Sequence, residues 1–213
     1  MPRRVHDTPN PDITDSGAPV EQCVDERIRI LHPYEYVCGA DRRAAVRPLR
    51  RLDGMTAAST PELEADRQAL IALIKEEAVF HGDFTLSSGK KASYYVDMRK
   101  LTLDHRAAPA IGRIMLDLVR DIDGIVAVGG LTLGADPIAN AIMHESARTE
   151  TPLDAFVVRK EPKDHGRGRQ VEGADVVGKR VVVVEDTSTT GQSALKAVEA
   201  LRREGAELVA VAV

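Results

Sequence analysis

Continuous apolar runs occur at four places in the second half of the chain. They cover residues 125–128, 155–158, 181–184 and 208–213, and valine is frequent in them. Runs of this length that are apolar at every position are typical of strands buried on both faces of a sheet. We therefore predict four strands of a parallel sheet.

Helical periodicity separates these runs. Residues 107–119, 137–146 and 193–203 place apolar side chains on one helical face, and Gly205 marks the end of the last segment. Apolar strands that alternate with amphipathic helices are typical of the α/β class. The pattern predicts an open parallel sheet with helices on both faces.

A further helix and a hairpin precede this alternating region. Residues 60–62 read Thr-Pro-Glu, a helix-start pattern, and the apolar positions that follow share one face until a predicted stop at Gly82, after Val79 and Phe80. Residues 84–97 predict two short strands around a Ser-Gly turn.

The first 60 residues have a different character. They are rich in Pro, Arg and Asp and show no sustained period. We predict that residues 1–58 are a disordered or non-native N-terminal extension and that residues 59–213 form the functional domain. Met55 as the natural start is an alternative that mass spectrometry of the endogenous protein can test.

Composition narrows the class of protein. Of the 213 residues, 43% are hydrophobic and 29% charged, which suits a globular core, while aromatic residues make up only 3% and the net charge is -4. This balance argues against a stacking platform for nucleic acid and against general attraction to anionic membranes. The two cysteines, Cys23 and Cys38, are too few for a disulfide scaffold, so we predict a cytoplasmic protein.

The turn after residue 184 has the most informative chemistry. It consists of Glu185, Asp186, Thr187, Ser188, Thr189, Thr190, Gly191, Gln192 and Ser193. Backbone N–H groups at a helix start bind phosphate, a glycine allows close approach, and hydroxyls add donors. The carboxylates repel phosphate but can hold a cation or sugar hydroxyls, so we predict a phosphorylated-sugar site. Alternatively, the hydroxyls only cap the helix and the carboxylates end a solvated strand.

A basic segment follows residue 158 in this otherwise acidic chain. Its candidate functional residues are Arg159, Lys160, Lys163 and His165, and glycines follow them. Such a segment can close over a polyanion and exclude water. The alternative is an exposed charged hairpin.

A glycine-rich loop is predicted at residues 129–137, after the first predicted strand. Its glycines allow a ligand to approach the backbone at a helix start, but their spacing matches neither G-x-G-x-x-G nor the P-loop pattern. Taken alone, this segment is a weaker indication of a site.

Together these segments resemble the type I phosphoribosyltransferases, and within them the orotate phosphoribosyltransferases. An apolar strand, an acidic pair, a hydroxyl-rich turn and a glycine occur in the order of that family's phosphoribosyl diphosphate signature. The resemblance covers residues 63–213. Supporting segments lie at residues 84–90, 94–97, 129–137 and 159–166.

The resemblance implies a reaction. Orotate and phosphoribosyl diphosphate, with Mg²⁺, would give orotidine 5′-monophosphate and pyrophosphate in de novo pyrimidine (UMP) biosynthesis. The turn at residues 185–193 would hold the ribose 5-phosphate, with the acidic pair on the ribose hydroxyls and Thr189 also contacting orotate. No protein residue is assigned as a metal ligand.

The resemblance also implies roles for the basic segment. Arg159, Lys160, Lys163 and His165 would bind the diphosphate, on a flexible loop shared across a homodimer. The candidate catalytic residues are Lys163 and His165, which would neutralise the leaving group, and Asp186, which would favour a cationic ribose.

This chain departs from the family pattern at three places. Ser87 stands where many relatives carry Lys, and Thr132-Leu133 stands where some carry Tyr-Lys. The sequence also stops at Val213, before an Asp-Arg segment that helps relatives hold orotate. We therefore expect a C-terminally incomplete domain with weak or no activity.

Two alternative functions remain at this point. One is a type I phosphoribosyltransferase for a purine base, because the signature turn does not define the base. The other is a non-catalytic regulator of the same fold that binds RNA or a nucleotide, for which the basic stretch at residues 42–51 is the only support. The cations of residues 159–165 favour catalysis over regulation.

Overall fold

The computed structural model describes residues 29–31, 60–85, 91–162, 169–188 and 190–213. In chain order the elements are β1 (Arg29–Leu31), α1 (Pro61–Leu73), a π-helical turn (Ile74–Ala78), β2 (Val79–Thr85), β3 (Lys91–Val96), α2 (Arg99–Thr102), α3 (Ala108–Val119), β4 (Ile125–Leu131), α4 (Ala135–Ser146), β5 (Asp154–Val158), β6 (Val171–Gly173), β7 (Arg180–Val184), α5 (Gln192–Arg203) and β8 (Glu207–Ala212).

Six of these strands form one sheet in the order β1-β8-β7-β4-β5-β6. All neighbours pair in parallel except β6, which runs antiparallel to β5 at the edge. Strands β2 and β3 form a separate antiparallel pair. The mostly parallel sheet confirms the predicted α/β class.

Helices cover both faces of this sheet. Successive valines of β7 alternate between two cores: Val182 and Val184 pack with α1, α3 and α4, whereas Val181 and Val183 pack with α5. All four are fully buried. Because side chains alternate across a strand, a run of valines buries both faces at once, as the sequence predicted.

The first helix begins where its cap residues predict and ends earlier. The Leu63 N–H donates to Thr60 Oγ1 at 3.3 Å, and Pro61 occupies the first turn. The prediction that the helix continues through Val79 and Phe80 is wrong. These residues begin β2, since they pair with Val96 and Tyr95 of β3, and β-branched and aromatic side chains favour such pairing.

Two further differences concern strands. Strand β4 continues to Leu131, so Gly129 and Gly130 pair with β5 instead of lying in a loop. Strand β6 lies within residues 159–179, where the polar sequence predicts no strand. It pairs with residues 156–158 of β5.

Strand β1 lies within residues 1–58, where the pattern predicts no strand; it pairs with β8. The rest of that extension, Met55 included, is outside the described residues, and so is the predicted Ser-Gly turn. No helix in the described part of the chain combines the length and the apolar character needed to cross a bilayer.

Candidate active site

A cavity of about 250 Å³ opens at the carboxyl ends of β4 and β7. Its walls come from the end of β3 and the start of α2, from the segment between β4 and α4, and from the turn between β7 and α5. Residue 160, after β5, completes it. The lining residues are Tyr95, Val96, Asp97, Arg99, Leu131, Thr132, Leu133, Gly134, Lys160, Glu185, Asp186, Thr187 and Ser193. Ligands of open α/β sheets bind at this edge.

The acidic pair has one buried and one more accessible member. Glu185 is only 6% exposed, and its Oε2 has no hydrogen-bond partner within the described part of the chain. Its backbone N–H donates to the Ala212 carbonyl at 3.0 Å, which fixes it to the sheet. Burial, followed by the interaction with Asp186, raises the pKa of Glu185 to about 8.

Asp186 lies against the backbone of Gly134. A Cβ atom added at Gly134 would be 2.5 Å from Asp186 Oδ1 and 2.8 Å from its Cγ. Gly134 is the N-cap residue of α4 and has ordinary helical dihedral angles. The small residue is therefore needed for space, and this close approach joins the β4 and β7 walls of the cavity.

The segment between β4 and α4 is held at both ends. The Thr132 N–H donates to the Val158 carbonyl at 2.9 Å, and its hydroxyl donates to Asp136 Oδ2 at 2.6 Å. The peptide bond between Thr132 and Leu133 is cis. Leu133 is 68% exposed beside the cavity.

The turn into α5 has glycine at the cap. Gly191 is the N-cap residue and has φ +72°, a left-handed conformation that favours glycine. The residue at this cap thus has no hydroxyl, which argues against the alternative that the hydroxyls serve only as caps. Thr187 and Ser193 instead line the cavity.

Comparison with known proteins agrees with this geometry. The family described as phosphoribosyl transferase domain matches residues 100–213. The orotate phosphoribosyltransferase of Streptomyces avermitilis is 59% identical over 146 residues, which are 68% of this chain and 80% of that protein. That of Mycobacterium avium is 57% identical over 152 residues, 71% of this chain and 80% of the relative.

Solved structures give the same result. The Mycobacterium tuberculosis orotate phosphoribosyltransferase in complex with Fe(III) dicitrate is 56% identical, with a TM-score of 0.60 over 70% of this chain and 83% of that chain. The chain belongs to the orotate phosphoribosyltransferase family. It is therefore a pentosyltransferase, within the type I phosphoribosyltransferase fold that the signature turn indicated.

Five of the site residues that the sequence predicts line the cavity of this orotate phosphoribosyltransferase family member. Lys160, Glu185, Asp186, Thr187 and Ser193 line it. The same turn contains four further predicted residues that are not among the lining residues. They are Ser188, Thr190, Gly191 and Gln192.

Other predicted residues lie elsewhere. Arg159 does not line the cavity, and its Nη1 donates to Glu172 Oε1 at 3.1 Å, across the β5–β6 pair. Lys163, His165 and Thr189 lie outside the described residues. Their roles remain predictions.

Sequence reasoning did not place the segment after β3 at the cavity. Asp97 and Arg99 line the cavity, and the Asp97 N–H donates to the Ala78 carbonyl at 2.9 Å. The segment at residues 94–97 supported the resemblance but was given no role. An acidic residue two positions before an arginine, directly after a strand, was the available signal.

Burial of Glu185 predicts a pH dependence of stability. Its pKa is raised from an ordinary 4.5 to about 8 in the folded protein, so the folded state holds the proton more tightly than the unfolded state. The stabilising contribution is complete below pH 4.5 and is lost as the pH rises through about 8. One pKa unit corresponds to about 1.4 kcal/mol, so we expect a loss of a few kcal/mol.

Urea unfolding of the unaltered protein and of Glu185→Gln, from pH 4.5 to above pH 8, measures this contribution. As the pH rises, the free energy of unfolding should fall more for the unaltered protein than for Glu185→Gln. Parallel pH profiles for the two proteins would show that Glu185 ionises normally.

Proposed function

We propose that this chain transfers the 5-phosphoribosyl group from phosphoribosyl diphosphate to orotate, which gives orotidine 5′-monophosphate and pyrophosphate. One observation carries the proposal: an acidic pair, the start of helix α5 and Lys160 meet at one cavity. A sugar that carries a phosphate and a diphosphate needs these three features together. Membership of the family supports this assignment over the purine-base and regulatory alternatives.

The ribose 5-phosphate is assigned to the turn between β7 and α5. Helix α5 has 12 residues, and the free N–H groups and dipole at its start favour an anion. Asp186, near the beginning of this turn, accepts hydrogen bonds from the ribose hydroxyls. The M. tuberculosis relative solved with 5-phospho-alpha-D-ribosyl 1-diphosphate, 47% identical with a TM-score of 0.55, supports this substrate.

The diphosphate is assigned to the side of the cavity that Lys160 closes. Cleavage of the anomeric C–O bond leaves positive charge on the ribose and negative charge on the departing pyrophosphate. Lys160 stabilises the pyrophosphate, and the carboxylate of Asp186 stabilises the ribose. Arg159, Lys163 and His165 are proposed to join them when the basic segment closes.

Mg²⁺ fits this cavity as a partner of the substrate. No group of three His, Cys, Asp or Glu side chains in the described ranges could hold a metal ion. Mg²⁺ is commonly bound through one or two carboxylates together with substrate phosphates and water. Asp186 would supply a carboxylate, and the ion would neutralise charge on the diphosphate.

We also propose that the active form is a homodimer located in the cytoplasm. Sharing of the basic segment across the subunits is part of this proposal. Cysteine usage supports the location.

The test combines turnover with binding. Orotidine 5′-monophosphate formation is measured first, and phosphoribosyl diphosphate with Mg²⁺ is then titrated calorimetrically into the unaltered protein and Asp186→Asn. We expect at least about tenfold weaker binding by the variant, because a charge-assisted hydrogen bond to a hydroxyl is lost.

Asp154→Asn is the matched control. Asp154 is the first residue of β5 and so lies at the amino ends of the parallel strands, away from the cavity at their carboxyl ends. Its replacement should leave binding unchanged. Equal binding by the unaltered protein and Asp186→Asn would remove the role of the acidic pair. Because weak or no turnover is expected of this chain, the activity is rejected when neither turnover with orotate nor binding of phosphoribosyl diphosphate is found.

A further inference from the structure

The backbone just after β5 is held by a residue that does not line the cavity. The Arg159 N–H donates to the Gln170 carbonyl at 2.9 Å, which continues the β5–β6 pairing by one residue. The side-chain Nε2 of Gln170 donates to the Arg159 carbonyl at 2.8 Å. That carbonyl belongs to the planar peptide group between residues 159 and 160. The Gln170 amide therefore holds the peptide group from which Lys160 extends.

Arg203 fixes the direction of this amide. Its Nη2 donates to Gln170 Oε1 at 2.8 Å. A side-chain amide has one oxygen that accepts and one NH2 group that donates. With the oxygen bound to Arg203, the NH2 group is directed at the Arg159 carbonyl. Because Arg203 is the last residue of α5, two hydrogen bonds in series connect the end of this helix to the peptide before Lys160.

Helix α5 thereby connects two sides of the cavity. Its start follows the turn assigned to the ribose 5-phosphate, and its end reaches the peptide of Lys160, which is assigned to the diphosphate. Its 12 residues span about 18 Å, and one face packs in the second core. The two groups of one substrate are thus bound by parts of the chain that a single packed helix keeps in register.

A separate contact maintains the pairing of β5 with β6. Arg159 Nη1 donates to Glu172 Oε1 at 3.1 Å across the two strands. This bond does not involve the Arg159 carbonyl. Removal of the Gln170 side chain should therefore release the peptide before Lys160 and leave the strands paired.

We propose that Gln170, oriented by Arg203, is a positioning residue that directs Lys160 into the cavity toward the diphosphate. The inference rests on the proposed function and extends it to two residues outside the cavity lining. Both act through the backbone of residues 159–160. A long side chain binds an anion more tightly when the peptide that carries it is already fixed, because less conformational freedom is lost on binding.

The experiment titrates phosphoribosyl diphosphate with Mg²⁺ calorimetrically into the unaltered protein, Gln170→Met, Gln170→Glu and Lys160→Ala. Methionine removes both bonds without adding charge, whereas glutamate keeps an acceptor for Arg203 but does not donate to the Arg159 carbonyl. We expect the Kd to rise about 3- to 10-fold for both Gln170 variants, the range for one lost hydrogen bond. For Lys160→Ala we expect about tenfold or more.

The chain contains matched controls for both partners. Gln68 also donates through Nε2, to Glu64 Oε1 at 2.8 Å, but it lies on α1 and does not line the cavity. Gln68→Met should leave the Kd unchanged. Arg202 precedes Arg203 in α5, is likewise exposed, and has no side-chain partner among the described residues. Arg203→Gln should raise the Kd about two- to fivefold, and Arg202→Gln should not.

A double variant tests whether Gln170 acts through Lys160. In the Lys160→Ala background, Gln170→Met should have no further effect on the Kd, so the two losses are not additive. A purely structural role of Gln170 would lower the free energy of unfolding without this dependence. Urea unfolding checks the folding of every variant.

Three results would overturn the inference and leave the proposed function intact. They are an unchanged Kd in Gln170→Met or Gln170→Glu while Lys160→Ala binds weakly, additive losses in the double variant, and equal effects of Arg202→Gln and Arg203→Gln. Unchanged binding by Lys160→Ala would remove Lys160 from the proposed site and this inference with it. Absence of binding by the unaltered protein would reject both. If Gln170→Met does not fold, the comparison of Arg203→Gln with Arg202→Gln decides.

Discussion

Gly134→Ala is expected to fold normally and to lose about 100-fold in kcat/KM, a typical loss when one preorganised charge-stabilising group is removed. The added Cβ would be 2.5 Å from Asp186 Oδ1, so the carboxylate must leave its position. The backbone at Gly134, with φ -60° and ψ -40°, accepts alanine without strain. The kinetic loss should therefore come with a change in unfolding free energy of less than about 1 kcal/mol.

A double variant tests whether Gly134 acts through Asp186. If the added methyl group acts only by displacing this carboxylate, Gly134→Ala combined with Asp186→Ala should be no slower than Asp186→Ala alone. Additive losses in kcat/KM would contradict this explanation. Urea unfolding of all three variants provides the check on folding.

Gly129→Ala is expected to destabilise the fold by about 3 kcal/mol or more, the upper range for overpacking in a core. Strand β4 lies between β5 and β7. A Cβ at Gly129 would overlap the carbonyl oxygen of Phe156 and would be 2.5 Å from its ring Cδ2. Phe156 is fully buried, so neither the strand nor the ring has space to move.

Gly178→Ala separates this steric effect from the general cost of replacing a glycine. Gly178 has φ +65°, and a Cβ atom added there would meet no heavy atom of the described residues within 4 Å. Its replacement should cost only about 1 kcal/mol, from the left-handed backbone. Equal losses for both variants in urea unfolding would show that the centre of the sheet accommodates the methyl group.

The order of strands and helices was predictable because it depends on local patterns. The valines at residues 181–184 indicate a strand buried on both faces wherever it lies in the sheet. Thr60 and Pro61 define a helix start through contacts within one turn. Such signals need no knowledge of the rest of the chain.

The failures have a different physical cause. Gly129 and Gly130 have poor intrinsic strand preference and became strand residues because β5 and β7 pair with β4 on both sides. Val79 left the predicted helix because Val96, 17 positions later, pairs with it. In each case a distant partner overrode the local preference.

The candidate site shows the same division. The turn with Glu185 and Asp186 could be identified from its own residues and from the end of the strand before it. The Asp97–Arg99 wall could not, because β3 is not part of the six-stranded sheet, and only the folded structure places it beside the cavity. The rule that places ligands at strand ends of the main sheet does not cover it.

The turn from β7 into α5 lines the cavity and also leads directly into α5. Among the described helices, α5 alone contributes to the core on its face of the sheet. Mutations chosen there to change substrate preference will therefore also change folding stability. At the wall after β3, the exposed side chains of Tyr95 and Arg99 can vary with less effect on the core than Val96 and Leu101, which pack in it. Divergence toward new bases, in nature or by design, should thus be easier at this wall than at the phosphate turn.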